Sequence, residues 1–220
     1  MPDKFIRKLA FALITIWAVY TGSSLAATTN VEQAYCQGAQ AASTGKLTEH
    51  LCTEDGALLT LRYNNKSGKI ILESPRGRSI LERIPRDYDP ALTGADRYIG
   101  FLPVELQPYR RNRKLLYLSA IRSTGGNGGG ECGAGSEIFL NVLDLANAHP
   151  QVMSRTLIGS CSKNIELSEL SDPPGNLAGF SVADGRLHLD FLFYKEIEES
   201  LSALLSNDLK ALEFLPVPAH

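Results

Sequence analysis

The chain has 220 residues, 44 % of them hydrophobic and 21 % charged, with a formal net charge of −2. That composition excludes an intrinsically disordered chain, and the slightly acidic balance argues against the basic face from which nucleic-acid binders gain counterion release. The length fits one domain with a substantial core.

Residues 1–26 have the three parts of a secretory signal peptide. Lys4, Arg7 and Lys8 come first, a largely apolar run from Leu9 to Tyr20 follows, and Ser24 and Ala26 supply the small residues of a cleavage site. The apolar run is shorter than the ~20 residues that span a bilayer. The expectation is removal, leaving 27–220 as a single exported domain, periplasmic or secreted, with no integral membrane segment after processing. Processing removes three basic residues and one acidic residue, leaving 19 against 23 and a net charge of −4.

All four cysteines, Cys36, Cys52, Cys132 and Cys161, lie in the mature part. An even count in an exported chain predicts two disulfides. Three connectivities are open, and the local one, Cys36 with Cys52 and Cys132 with Cys161, is preferred. No two cysteines stand at the spacing of a zinc knuckle, so neither a metal nor another cofactor is expected.

In chain order, Val31–Ala42 is expected to form a short helix. From Ala57 the period changes to strands: ALLTLRY, the turn NNKSG, then KIILE, a hairpin signalled by Asn64, Asn65 and Gly68. RSILERI, Arg78–Ile84, adds a strand after Pro75 and Gly77. Arg86–Gly100 reads as a long loop, and Ile99–Leu106 as a short edge strand interrupted by Pro103. The basic knot RRNRK then places Arg110, Arg111, Arg113 and Lys114 together in an otherwise acidic protein. A solvated turn explains it; so does a patch for an anionic partner, since guanidinium groups pair with carboxylate or phosphate.

Two apolar runs, KLLYLSAIR (Lys114–Arg122) and EIFLNVLDL (Glu137–Leu145), read as strands around GGNGGGECGAG. Seven of those eleven residues are glycine, which demands a turn or a loop that another backbone approaches closely. Gly128, Gly130 and Gly133 fit GxGxxG, but that fingerprint needs a helix after the loop. The Gly130 to Gly135 frame of a phosphate loop is followed by Ser136 and Glu137 where a lysine is required. A loop stapled by Cys132 fits better than nucleotide binding.

A hairpin across Ala146–Pro150 leads into Val152–Ser160. Further on, NLAGFSVA and RLHLDFLFY alternate around Asp184-Gly185, a two-residue I′ turn. His188 and Asp190 share the polar face there, read as a solvated pair. Lys195–Asp208 puts Ile197, Leu201, Leu204 and Leu205 on one helical face, predicting a short C-terminal helix or an exposed excursion, and Leu209–Leu215 closes the sheet.

The expected fold is mainly β, an antiparallel sandwich or irregular barrel built from hairpins. Export, disulfides and polar loops on a rigid sheet point to a binding or inhibitory protein of the bacterial envelope, for example one that neutralises a toxin or lysozyme. Its partner would be a protein, met by Asn127 and Glu131 of the glycine centre and by Arg110, Arg111 and Arg113. An assembly factor of an envelope machine and a small periplasmic hydrolase are the alternatives. No GxSxG or HExxH motif supports the hydrolase, and no catalytic residue is assigned.

Overall fold

The computed structural model describes residue 36 and residues 48–64, 66–83, 98–122, 136–147, 149–168, 177–197 and 199–216. Among these residues, thirteen strands form three antiparallel sheets. The first holds β1 (Thr48–Cys52), β2 (Leu58–Asn64), β3 (Lys69–Ser74) and β4 (Gly77–Arg83), side by side in chain order. The second repeats that order with β5 (Tyr98–Phe101), β6 (Lys114–Arg122), β7 (Ser136–Asp144) and β8 (Gln151–Gly159). The third runs β10 (Phe180–Ala183), β11 (Arg186–Tyr194), β12 (Leu201–Leu205) and β13 (Leu212–Phe214), with β9 (Ile165–Leu167) also on β11.

The middle sheet is covered on both faces. Leu115, Tyr117, Ile121 and Leu143 pack with Leu59, Leu61, Ile70 and Leu72 of the first sheet. Their neighbours Leu116, Leu118, Ala120 and Leu140 pack with Leu187, Leu189, Phe191 and Ala203 of the third. Strand β6 is therefore buried at every position from Leu115 to Ile121, as its nearly continuous apolar run requires. The hairpin-built, mainly β expectation agrees with this architecture, but the layers number three where a sandwich has two. Stacked antiparallel sheets of four, four and five strands resemble the packing of propeller blades more than a barrel.

Several turns follow their sequences closely. Asp184 and Gly185 have φ of 51° and 71°, both positive as the I′ turn demands, and the register Ala183↔Arg186 follows. Strand β7 pairs with β6 over nine residues, from Lys114↔Asp144 to Arg122↔Ser136, so the glycine centre leads into a strand. The helix that GxGxxG needs is not there.

The expected C-terminal helix is corrected. Leu201, Ala203 and Leu205 alternate inward in β12, against β11 on one side and β13 on the other. The period-2 reading of these residues wins because β11 offers an edge of backbone partners, whereas an isolated short helix is marginal. Lys195, at a φ of 60°, also turns the chain out of a helical path. Of the expected Val31–Ala42 helix, only Cys36 is among the described residues.

Cys36 and Cys52 form a disulfide with Cα atoms 5.6 Å apart, the local pairing preferred from the sequence. It is the one disulfide seen in full among the described residues. Cys161 is also disulfide-bonded, while Cys132, its expected partner, lies outside those residues.

One glycine is required by close approach. Strands β9 and β10 lie end to end on the same edge of β11, where Asp190 N–H donates to Gly179 O at 2.9 Å and Ser168 N–H donates to Asp190 O at 2.8 Å. A β-carbon at Gly179 would stand 2.3 Å from the Ser168 carbonyl oxygen. Gly179→Ala is expected to cost about 2 kcal/mol, read as a lower urea midpoint with an unchanged slope.

Candidate functional site

One end of the seam between the first two sheets opens into a cavity of about 300 Å³. Four chain segments build it: the β1–β2 turn (Thr53, Glu54, Asp55), the β3–β4 turn (Ser74, Pro75, Arg76), the stretch before β6 (Arg110, Arg111, Arg113) and the β7–β8 turn (Asn147, Pro150). Antiparallel meanders bring alternate turns to the same end of a sheet, which is why segments distant in sequence meet here. The floor is apolar, made by Leu59, Leu115 and Leu145.

The three arginines singled out in the sequence thus share one site. Arg110 starts a 3-10 turn, Arg110–Asn112, and Arg113 has a φ of 57°, so their side chains leave a sharply turned backbone. That turn is anchored on both sheets beside it. The Gln107 side chain is buried and acts as a piece of strand: its Nε2 donates to Leu102 O at 2.8 Å and to Leu116 O at 2.7 Å, and its Oε1 accepts from Leu116 N–H at 2.7 Å. Tyr109 Oη accepts the Leu187 N–H of β11 at 3.1 Å. The arginines are therefore presented from a fixed backbone, which lowers the ordering cost of binding.

The electrostatics favour an anion. Among the described residues four arginines line the cavity against two carboxylates, Glu54 and Asp55. Asp55 is already engaged: the Thr53 hydroxyl donating to it holds its carboxyl below the usual range, and the Arg76 charge adds to this. Glu54 reaches Arg111 at 3.9 Å, a long contact between exposed groups. Arg110 Nε is buried and has no hydrogen-bond partner among the described residues. A guanidinium N–H without an acceptor is a donor that a carboxylate or phosphate oxygen suits.

Behind the cavity, Lys114 Nζ lies 2.6 Å from Asp144 Oδ2 and Ala146 N–H donates to Asp144 Oδ1 at 2.8 Å. The Lys114 hydrogen bond holds the Asp144 carboxyl below its ordinary value, with Ala146 N–H and the Arg113 charge contributing. A depressed carboxylate stabilises the fold above its unfolded pKa, about 3.9, and loses that contribution as pH falls through the folded value. Asp144→Asn is expected to narrow the difference between urea midpoints measured at about pH 7 and about pH 3.

Asn127 and Glu131 lie outside the described residues, in the segment that joins the C-terminal end of β6 to β7. The arginines precede the N-terminal end of that nine-residue strand, about 27 Å away along its length. Arg110, Arg111 and Arg113 are brought together, then, while the glycine centre attaches at the opposite end. The sequence reading missed Glu54, Asp55 and Arg76. Their signal was weak: each sits in an ordinary turn, TEDG or SPRG, whose placement only the sheet order reveals.

Two of the histidines have their surroundings described on the sheets. His50 Nδ1 is 2.9 Å from Thr60 Oγ1, and His188 shares a face of β11 with Asp190, which accepts from Ser202 Oγ. Among the described residues no three His, Cys, Asp or Glu side chains gather as metal ligands. No long apolar helix crosses a membrane among them either. Comparison with known protein families and with curated proteins finds no match for the chain.

Proposed function

We propose that this is an exported envelope protein that binds, and by binding inhibits, a protein partner through the arginine cavity. The observation that carries this reading is the grouping of Arg110, whose Nε has no hydrogen-bond partner among the described residues, with Arg111 and Arg113 in a cavity with an apolar floor. A carboxylate from an acidic loop of the partner fits between the guanidinium groups, and an apolar neighbour on the same loop fits against Leu59, Leu115 and Leu145. A binder that seats such a loop blocks the partner by steric cover and needs no nucleophile of its own.

Glu54 competes with the incoming carboxylate for Arg111. Glu54→Gln is expected to tighten binding of the partner about threefold and to leave the fold unchanged, since the contact it removes is exposed. Unchanged or weaker binding, measured by titration calorimetry, would place the carboxylate elsewhere.

Two disulfides and removal of residues 1–26 belong to the same proposal. The native protein from an oxidising compartment is expected to begin at Ala27, to show no free thiol, and to yield a Cys132 to Cys161 peptide link beside Cys36 to Cys52. A reactive thiol at Cys132 would overturn the second bridge.

A further inference from the structure

A second groove, of about 660 Å³, runs along the outer edge of the seam between the middle and third sheets. Its rim carries Lys163, Lys195, Lys210 and Arg155, and among the described residues its lining holds no carboxylate. In a chain that is acidic overall, four cations without a lining acid are a local inversion of charge. Arg155 is spent internally: it pairs with Glu82 of β4 and stacks over the Phe139 ring at 3.6 Å. The three lysines are exposed.

The wall is aromatic. Phe214 packs against Tyr194 with centroids 4.6 Å apart and the rings tilted by 55°, and is braced by Phe191 at 6.1 Å, yet it stays 40 % exposed. The groove also lies between two terminal strands, β8 of the middle sheet and β13 of the third, each paired on one side only among the described residues. An unpaired strand edge offers main-chain donors and acceptors at the spacing of an extended polypeptide. Positive charge alone would suit phosphate or a sulfated glycan. Charge together with an apolar wall and open strand edges suits an extended chain that alternates acidic and apolar side chains.

We infer that this groove is a second protein-binding site, which takes an extended acidic peptide by adding it as a strand at β8 or β13. Because alternate side chains of a strand face opposite ways, acidic residues of such a peptide meet Lys163, Lys195 and Lys210 while the intervening apolar ones meet Tyr194 and Phe214. The site is separate from the arginine cavity and shares no residue with it. Its success or failure is therefore independent of the function proposed above.

The test uses the oxidised mature chain, isotope-labelled, titrated with a short synthetic peptide alternating glutamate and valine. A sulfated glycan and inorganic phosphate serve as comparison probes. The expected result is a set of amide shifts in β8 and β13 with the peptide and not with phosphate or glycan. Lys163→Glu combined with Lys210→Glu, both exposed changes that leave the core untouched, is expected to weaken that binding about tenfold or more. Changing the three cavity arginines should leave the β8 and β13 shifts in place. Peptide-induced shifts that avoid both strands, equal shifts with the glycan or phosphate, or an affinity insensitive to the two charge reversals would each overturn the assignment.

Discussion

Replacing Gln107 with leucine is expected to destabilise the protein by about 4 kcal/mol, because two buried backbone groups lose partners at roughly 1–3 kcal/mol each. Leu116 N–H and Leu102 O both depend on the Gln107 amide, whereas Leu116 O keeps Leu102 N–H at 3.0 Å. The side chain is 4 % exposed, so water cannot step in without opening the packing. Leucine of similar size fills the space and removes cavity formation as the cause. Urea unfolding should show a lower midpoint with the slope kept. A loss below about 1 kcal/mol would mean that the segment relaxes to satisfy those groups itself.

Gln107→Glu sharpens the same point through its sign. An ionised carboxylate would face the Leu102 and Leu116 carbonyls, where the native amide donates. Only its protonated form can donate, so its folded-state pKa is expected to rise above the unfolded value of about 4.3. The variant should therefore be most stable at low pH and lose stability as pH rises through that raised value.

Changing the cavity arginines should have the largest effect on function. The chosen set is Arg110→Ala, Arg111→Ala and Arg113→Asn, since the φ of 57° at Arg113 suits asparagine better than alanine. Loss of the charge-assisted bonds is expected to weaken partner binding about 100-fold or more. It should also flatten the dependence of affinity on salt, because the attractive charges are gone. The melting temperature should change little. Arg111 and Arg113 are exposed, and the side-chain contact between Arg111 and Glu54, at 3.9 Å, is one that contributes little to stability. A large drop in stability would instead assign the arginines to the fold.

Local pairing was legible where turn chemistry and alternation agreed. Asn64 and Gly68 joined β2 to β3, Asp184-Gly185 joined β10 to β11, and the two runs around the glycine centre became β6 and β7. Lys195–Asp208 misled because Leu201, Leu204 and Leu205 satisfy a helical face while Leu201, Ala203 and Leu205 satisfy a strand; the free edge of β11 decided it. The third layer was encoded in β6, whose Leu115, Leu116, Tyr117 and Leu118 are apolar without a break, a pattern that needs cover on both faces.

The candidate site was legible by half. A cluster of arginines in an acidic chain is visible in one stretch, but an apolar floor and two flanking turns become a cavity only when β1–β2, β3–β4 and β7–β8 close at the same end of the stack. The glycine centre drew attention for its composition, and its anchors at Arg122 and Ser136 place its start and finish at the other end.

The most direct measurement is a paired capture from envelope and secreted fractions, using the oxidised mature chain as one bait and its three-arginine variant as the other. The account predicts a protein retained by the native bait, released as salt is raised, and missing from the variant, with both baits folded by their melting curves. The same proteins on both baits, or none on the native one, would contradict the arginine cavity as the binding surface.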